Sequence, residues 1–135
     1  MIGIIDTSAL LRLFIPDGPI PKGLERFFFG VEQGSNVALA PELLTAEAAN
    51  VLNKKLKAGL LTPEESKTLL KDLLNMPIRF LSHTHILDHA MDVAAEHHLT
   101  VYDALFIALA LAQGGVLFSA DEHVLKIARH LNLAA

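Results

Sequence analysis

An unbroken apolar run at residues 104–112 (ALFIALALA) constrains the fold of this chain more than any other stretch. A helix without a polar face is stable only where other elements cover it, so the run predicts a helix at the centre of a packed domain. The run is shorter than the ~18 apolar residues that a membrane-spanning helix needs. Gly114 and Gly115 predict the end of this helix, which we expect over residues 103–113. Asp103 stands at its head, where burial of an unpaired carboxylate is strongly unfavourable.

The rest of the chain alternates short apolar segments with segments of helical periodicity. We predict strands over residues 1–6, 36–40, 78–81 and 116–119, and helices over residues 7–14, 22–33, 41–58, 62–74, 85–97 and 121–130. This alternation predicts an α/β fold in which helices cover both faces of a parallel sheet. With 135 residues the chain is long enough for one core, so we expect a single domain over residues 1–135.

The sequence also predicts the capping residues and the buried stripes of several helices. Thr7 and Ser8 are suited to cap the first helix, and Pro41 is suited to open the third. The buried stripe predicted for the helix over residues 22–33 consists of Leu24, Phe27, Phe28 and Val31, and it leaves out Phe29. The buried stripe predicted for the helix over residues 85–97 consists of Leu87, Ala90, Met91, Ala94 and Ala95.

The composition narrows the classes of function. The chain has no cysteine, which excludes disulfides and thiolate metal sites and favours a cytoplasmic protein. Its first residues lack the basic and cleavable pattern of an export signal, so none is expected. The formal net charge of −4 lacks the basic excess typical of nucleic-acid-binding proteins, although it says nothing about local distribution. Hydrophobic residues make up 52% of the chain, which predicts apolar surface reserved for a partner or a second copy.

Four acidic residues stand near junctions between the predicted elements. Asp6 ends the first strand, Asp103 begins the apolar helix, and Asp121 follows the last strand by two residues. Each of these three, taken alone, is also explained by a helix-capping role. Glu47 has no capping role, because it lies within its helix toward the apolar side.

Together the four acids favour a different interpretation. The carboxyl ends of parallel strands meet at one edge of a sheet, so these side chains can converge there. Gathered carboxylates repel one another and raise each other's pKa, and a hard divalent cation relieves that repulsion. Mg²⁺ and Mn²⁺ prefer oxygen ligands of this kind. The residues therefore predict a site for Mg²⁺ or Mn²⁺ in which Asp103 is a ligand.

Four segments in order resemble one known family over almost the whole chain. They are IIDTSAL at residues 4–10, PELLTAEAANVL at residues 41–52, YDALFIALA at residues 102–110 and LFSAD at residues 117–121. This set resembles the PIN domain, and within it the VapC-like toxins of bacterial and archaeal toxin–antitoxin pairs. The resemblance implies a five-stranded parallel sheet between layers of helices. Because only residues 130–133 are available as the fifth strand, we expect a three-layer α/β/α fold with four to five short parallel strands.

The resemblance also implies a chemistry and a set of site residues. It implies metal-dependent cleavage of RNA, with one or two Mg²⁺ or Mn²⁺ ions and no covalent intermediate. Carried over by position, the acidic quartet is Asp6, Glu47, Asp103 and Asp121, with Ser119 and Asn50 as orienting residues. Ser119 stands where the family more often has threonine, and the change keeps a hydroxyl group. The partners implied are an RNA substrate, a small antitoxin protein, and a second copy in a homodimer or larger assembly.

Two questions stay open at the level of sequence. Arg12, Lys54 and Lys55 either line a path for RNA, since phosphate contacts need cations, or are ordinary charges near the ends of their helices. The function is either that of a toxin or that of a housekeeping RNA-processing nuclease with the same chemistry. A PIN-like module that binds RNA or protein without cutting is a further alternative, although it has no need for four acids in one place.

Overall fold

Four parallel strands form the sheet of the computed structural model, which describes residues 1–134. They are β1 (Ile2–Ile5), β2 (Val37–Pro41), β3 (Ile78–Leu81) and β4 (Val116–Phe118), in the spatial order β3-β2-β1-β4. Successive side chains of a strand point to opposite faces of the sheet, yet Ile4 and Ile5 are both fully buried. Helices therefore cover both faces of the central strand β1, as expected for a parallel sheet.

Seven α-helices lie within residues 1–134. They are α1 (Thr7–Arg12), α2 (Leu24–Glu32), α3 (Leu43–Lys57), α4 (Pro63–Leu74), α5 (Leu87–His97), α6 (Val101–Gln113) and α7 (Glu122–His130), and one turn of 3₁₀ helix (Thr84–Ile86) precedes α5. Helix α6 packs against β1, β2 and β4, whereas α2 and α3 contact β2. The predicted three-layer α/β/α fold is confirmed.

The apolar helix α6 is buried as the sequence predicts, with one difference in its limits. Every residue from 104 to 110 is buried, but Leu111 and Ala112 are exposed. Thr100 caps the helix, since its side chain accepts a hydrogen bond from the Asp103 amide, so α6 begins before Asp103. Gly114 ends it in the left-handed conformation (φ 63°), which glycine adopts without steric strain. With 13 residues α6 is too short to cross a membrane, and no helix among residues 1–134 is long and apolar enough to do so.

The sheet has four of the expected four to five strands, and the candidate fifth strand does not form within residues 1–134. Helix α7 continues to His130, and only a single parallel bridge joins Leu117 to Ala134. The Leu117 amide donates to the Leu133 carbonyl at 2.7 Å, so this segment covers the edge of β4 without extending the sheet by a strand.

Pro41 also departs from its predicted place at the start of a helix. It is the last residue of β2, in register with Leu81 of β3, and α3 begins at Leu43. The pairing of the two strands continues one residue further, because the Glu42 amide donates to the Leu81 carbonyl at 2.9 Å. Proline is tolerated there because a strand end does not require its missing N–H group.

The stripe predicted for α2 is correct and that for α5 is partly wrong. In α2, Leu24, Phe27 and Phe28 are buried, Val31 is half-buried and Phe29 is 63% exposed. In α5, Met91 is 59% exposed and Ala95 is also exposed, whereas Val93 is buried. The 3₁₀ turn before α5 buries Ile86, and the buried stripe continues at helical spacing through Ala90, Val93 and Ala94.

The order of the strands reverses between β1 and β4. The chain adds β2 and β3 on one side of β1, and then adds β4 on the other side. Neighbouring connections therefore leave a crevice beyond the carboxyl ends of β1 and β4, where open α/β sheets bind ligands. Asp6 follows β1 at this crevice, and its amide donates to the Phe118 carbonyl at the end of β4 (3.1 Å).

Candidate active site

All four acids singled out from the sequence line one cavity of about 280 Å³ in this crevice. Its lining residues are Asp6, Thr7, Ser8, Leu11, Glu47, Asn50, Val51, Asp103, Phe106 and Asp121. The acids come from four separate parts of the chain, so only the folded sheet and its helices bring them together. The other lining side chains are apolar, hydroxylic or, in Asn50, an amide, so the four carboxylates alone give the cavity a strongly acidic character.

Asp6 is the most buried of the four acids and is held in one orientation. Its Oδ1 atom accepts a hydrogen bond from the Ser8 hydroxyl (2.6 Å) and another from the Ala9 amide (2.9 Å). The second bond makes Asp6 the N-cap of α1, a role that the sequence offered to Asp6 as well as to Thr7 and Ser8. Burial raises the pKa of Asp6 to about 6, although the hydroxyls of Ser119 and Ser8 and the Ala9 amide lower it, and the Asp103 carboxylate adds to the increase.

Glu47 reaches the cavity from the second turn of α3 and is oriented by a residue of α1. The Thr7 hydroxyl donates to its Oε1 atom at 2.7 Å. Burial raises the pKa of Glu47, the hydrogen bond from Thr7 lowers it, and the neighbouring Asp103 raises it further. Glu47 therefore has the Thr7 hydroxyl as a hydrogen-bond partner and the Asp103 carboxylate as a neighbour of like charge.

Asp103 is a first-turn residue of α6 and not its cap. Thr100 performs the capping, which removes the simplest alternative explanation for a carboxylate at the head of the apolar run. Burial raises the pKa of Asp103, and the charge of Asp121 raises it too, whereas His123 and the hydrogen bond from Thr100 lower it. Since Asp103 also acts on Asp6 and Glu47, its carboxylate is the electrostatic centre of the quartet.

Asp121 has both a structural and a site position. It caps α7, because its Oδ1 atom accepts from the Val124 amide at 3.0 Å, and it also lines the cavity. Its own amide donates to the Ser119 hydroxyl oxygen at 3.0 Å. Ser119 is buried behind the cavity wall, where it fixes the turn that carries Asp121.

Ser8 links the two sides of the crevice. Besides donating to Asp6, its hydroxyl oxygen accepts from the Ala120 amide at 2.9 Å and lies 3.3 Å from the Ser119 hydroxyl. One hydroxyl group thereby connects the acid after β1 to the loop after β4. The network holds Asp6 and Asp121 in a fixed relation through hydrogen bonds to their supporting groups.

Sequence reasoning missed three residues of this site. Thr7 and Ser8 were assigned to capping alone, although two hydroxyls directly after an acid at a strand end could have suggested hydrogen bonds to carboxylates. His123 lies near enough to Asp103 to lower its pKa. Its position two residues after Asp121 carried no signal of this in the sequence.

The other predicted site residues lie at increasing distance from the acids. Asn50 is exposed at the rim of the cavity. Lys54 is exposed one turn further along α3. Lys55 forms an ion pair with Asp17 (2.8 Å), and Arg12 donates to the Pro19 carbonyl (3.2 Å). Both of these cations therefore already contact the loop between α1 and α2.

The chemistry of the donor set fits a hard divalent cation. Four carboxylates and the Asn50 side chain offer only oxygen and amide donors, a set suited to Mg²⁺ or Mn²⁺. No three histidine, aspartate or glutamate side chains within residues 1–134 already form a metal-ligand cluster. Cation binding therefore requires some of the carboxylates that line the cavity to move closer together.

Comparisons with known proteins give one family match, one relative and one similar structure. The family model of the PIN domain matches residues 3–130. The protein "Ribonuclease VapC3" of Pyrobaculum aerophilum is 30% identical over 123 residues, which cover 90% of this chain and 90% of that protein. The crystal structure of PAE2754 from Pyrobaculum aerophilum is similar, with a TM-score of 0.69 and 27% identity, over 92% of this chain and 82% of that one.

Proposed function

The chain belongs to the PIN domain family, and from this premise we propose that it is a metal-dependent endoribonuclease acting as the toxin of a type II toxin–antitoxin pair. The observation that carries the proposal is the convergence of Asp6, Glu47, Asp103 and Asp121 on one cavity beyond the carboxyl ends of the strands. The similarity to a protein named ribonuclease VapC3 supports RNA as the substrate. We also propose that the protein acts in the cytoplasm, where RNA is available as a substrate.

The four acids divide into two pairs by their surroundings. Asp6 and Asp103 are the metal ligands we propose as principal. Asp6 is held by two hydrogen bonds, and the charge of Asp103 raises the pKa of both Asp6 and Glu47. Glu47 and Asp121 bind the same cation or orient the attacking water, since each has one oxygen in a hydrogen bond that fixes its direction. When bound, Mg²⁺ or Mn²⁺ supplies Lewis-acid activation of water and neutralises charge on the phosphodiester.

Residues around the acids prepare them for this role. Ser119 and Ser8 fix the turn of Asp121 and the carboxyl group of Asp6. Asn50 at the rim can contact a sugar or phosphate of the strand, and Lys54 beyond it can contact the next phosphate. We also propose that residues 1–135 form one domain, because the site takes residues from α1, α3, α6 and the start of α7.

The test is cleavage of RNA by the purified protein in Mn²⁺ or Mg²⁺, beside EDTA and the variant Asp103→Asn. The matched control is Asp88→Asn, an equal change of charge at an exposed position of α5. We expect cleavage by the wild type and by Asp88→Asn, and at least a ~100-fold loss in Asp103→Asn, since loss of a residue that only supports a metal ligand already costs about 10- to 100-fold. A circular RNA in the pool distinguishes endonucleolytic cutting, because it has no end from which to degrade.

The biological part of the proposal has its own test. Induced expression of the wild type is expected to arrest growth, and expression of Asp103→Asn is expected to be harmless. Cleavage in vitro without growth arrest in cells would instead favour the housekeeping RNA-processing nuclease. Intact RNA with a folded, metal-binding protein would favour the module that binds without cutting.

We further propose a small antitoxin protein and a second copy of the chain as partners. Several large apolar side chains are more than half exposed, which supports association with other chains: Met1, Phe29, Leu60, Met91 and Tyr102. Light scattering of the purified protein measures the oligomeric state. A monomer at all concentrations tested would contradict the homodimer.

A further inference from the structure

The loop between α1 and α2, residues 13–23, provides acceptors for the side chains of Arg12 and Lys55. The Lys55 ammonium lies 2.8 Å from the Asp17 carboxylate, and the Lys55 side chain is only 17% exposed. The Arg12 guanidinium donates to the Pro19 carbonyl at 3.2 Å. It also packs so closely on Gly18 that any side chain at that position would collide with it.

Both cations stand near residues that line the cavity. Leu11 of α1 and Val51 of α3 line the cavity on this side. Arg12 follows Leu11 in the chain, and Lys55 follows Val51 by four residues, which places it next along the same helix face. A nucleic-acid strand that leaves the cavity between α1 and α3 would therefore pass close to Arg12 and Lys55.

The groups that now contact these cations resemble the groups of a phosphodiester. A carboxylate on lysine and a carbonyl oxygen on arginine are oxygen acceptors, as are the non-bridging oxygens of RNA phosphate. Three prolines, Pro16, Pro19 and Pro21, restrict the loop to few conformations, which keeps these acceptors in place.

We propose that Arg12 and Lys55 form a phosphate subsite for the RNA backbone, and that Asp17 is an internal competitor that RNA displaces from Lys55. This inference rests on the proposed RNA substrate. It assigns Asp17 a role in substrate affinity and none in the chemical step. The Asp17 carboxylate is 54% exposed, so it can move away from Lys55 into solvent when a phosphate takes its place.

The test compares Asp17→Asn with Asp72→Asn, which makes the same change of net charge at an exposed position of α4. Affinity is measured in EDTA by fluorescence anisotropy of a labelled single-stranded RNA of random sequence, as a function of salt. Cleavage kinetics in Mn²⁺ are measured in parallel. We expect Asp17→Asn to lower Kd and KM about threefold, as the loss of an ion pair of ordinary strength predicts, with kcat unchanged. The slope of log K against log salt should steepen by about 0.7, the value for one additional phosphate contact to a single strand.

The variant Lys55→Gln shows whether Asp17 acts by competing for Lys55 or only by its negative charge. In the background Lys55→Gln, the substitution Asp17→Asn should have no further effect on Kd beyond that of Asp72→Asn, since the cation it releases is absent. A persistent effect in that background would overturn the inference, and so would equal affinities of Asp17→Asn and Asp72→Asn. Absence of RNA binding by the wild type and by Asp17→Asn alike would overturn it as well. RNA binding with the expected pattern but without metal-dependent cleavage would contradict the proposed nuclease and leave the subsite supported.

Discussion

The substitution Asp6→Asn should make the metal-free protein more stable while abolishing its proposed activity. Asp6 is 7% exposed, and its pKa in the folded protein is about 6 against an ordinary value of 3.8. The folded state therefore holds the proton more tightly than the unfolded state does. Between these two values the free energy of unfolding falls as the pH rises, and above pH 6 the full penalty is present.

The size of the effect follows from the pKa difference. Each unit corresponds to 1.36 kcal/mol, so ionised Asp6 destabilises the folded metal-free protein by about 3 kcal/mol near neutral pH. Asparagine is neutral and of the same shape, and its oxygen can still accept from the Ala9 amide and the Ser8 hydroxyl. About 3 kcal/mol is an upper limit for the gain, because the new NH₂ group must itself find acceptors. For a chain of this length the gain corresponds to a rise of about 10 °C in Tm.

Urea denaturation in EDTA at two pH values measures this gain. We expect Asp6→Asn to exceed the wild type in free energy of unfolding at about pH 7.5 and to lose most of that advantage at about pH 4.5, near the lower pKa. Mn²⁺ should reverse the order at the higher pH, because it stabilises only the protein that keeps the ligand. An unchanged or lower stability of Asp6→Asn at about pH 7.5 would refute the reasoning, as would an equal gain at both pH values.

Three further substitutions test other parts of the structure. Thr7→Val removes the hydrogen bond that orients Glu47, so it should lower kcat about tenfold in steady-state cleavage assays. Its Tm in thermal denaturation should stay within a few degrees of the wild type. Ser8→Ala removes the hydroxyl shared by Asp6 and the Ala120 amide, and it should lower the free energy of unfolding in urea by about 1–3 kcal/mol; an unchanged value would show that the network is unimportant. Leu105→Ala opens a cavity beside the sheet, and it should lower the same quantity by about 2–5 kcal/mol, whereas Leu111→Ala on the exposed part of α6 should lower it by much less.

The sequence predicts most of the fold because its signals are local and agree with one another. The buried run in α6 is apolar on every side, and Gly114 ends it where a left-handed residue is required. The alternation of strands and helices is equally clear. These features depend on neighbouring residues, and periodicity describes neighbours well.

The errors occur where distant parts of the chain decide the outcome. Pro41 could open a helix by its own preference, but pairing with Leu81 makes it the end of a strand. Met91 has the hydrophobicity of a core residue, yet the 3₁₀ turn before α5 sets a stripe that leaves it exposed. No local signal could determine either result.

The same distinction applies to the site. The four acids could be selected from the sequence, because each stands near an element junction or on an apolar face. The bond of Ser8 to Asp6 joins near neighbours, but the contacts of Thr7 with Glu47 and of Ser8 with Ser119 span 40 and 111 residues of chain and have no local signal. The ion pair of Lys55 with Asp17 is likewise a product of the folded loop.

Anomalous X-ray scattering from a crystal soaked in Mn²⁺ tests the central claim most directly. The account predicts a manganese peak in the cavity, in contact with the carboxylates of Asp6 and Asp103, and its absence from crystals of Asp103→Asn. Manganese bound only outside the cavity, with Asp6 still hydrogen-bonded to Ser8 and Glu47 to Thr7, would contradict the claim that these acids form a metal-dependent active site.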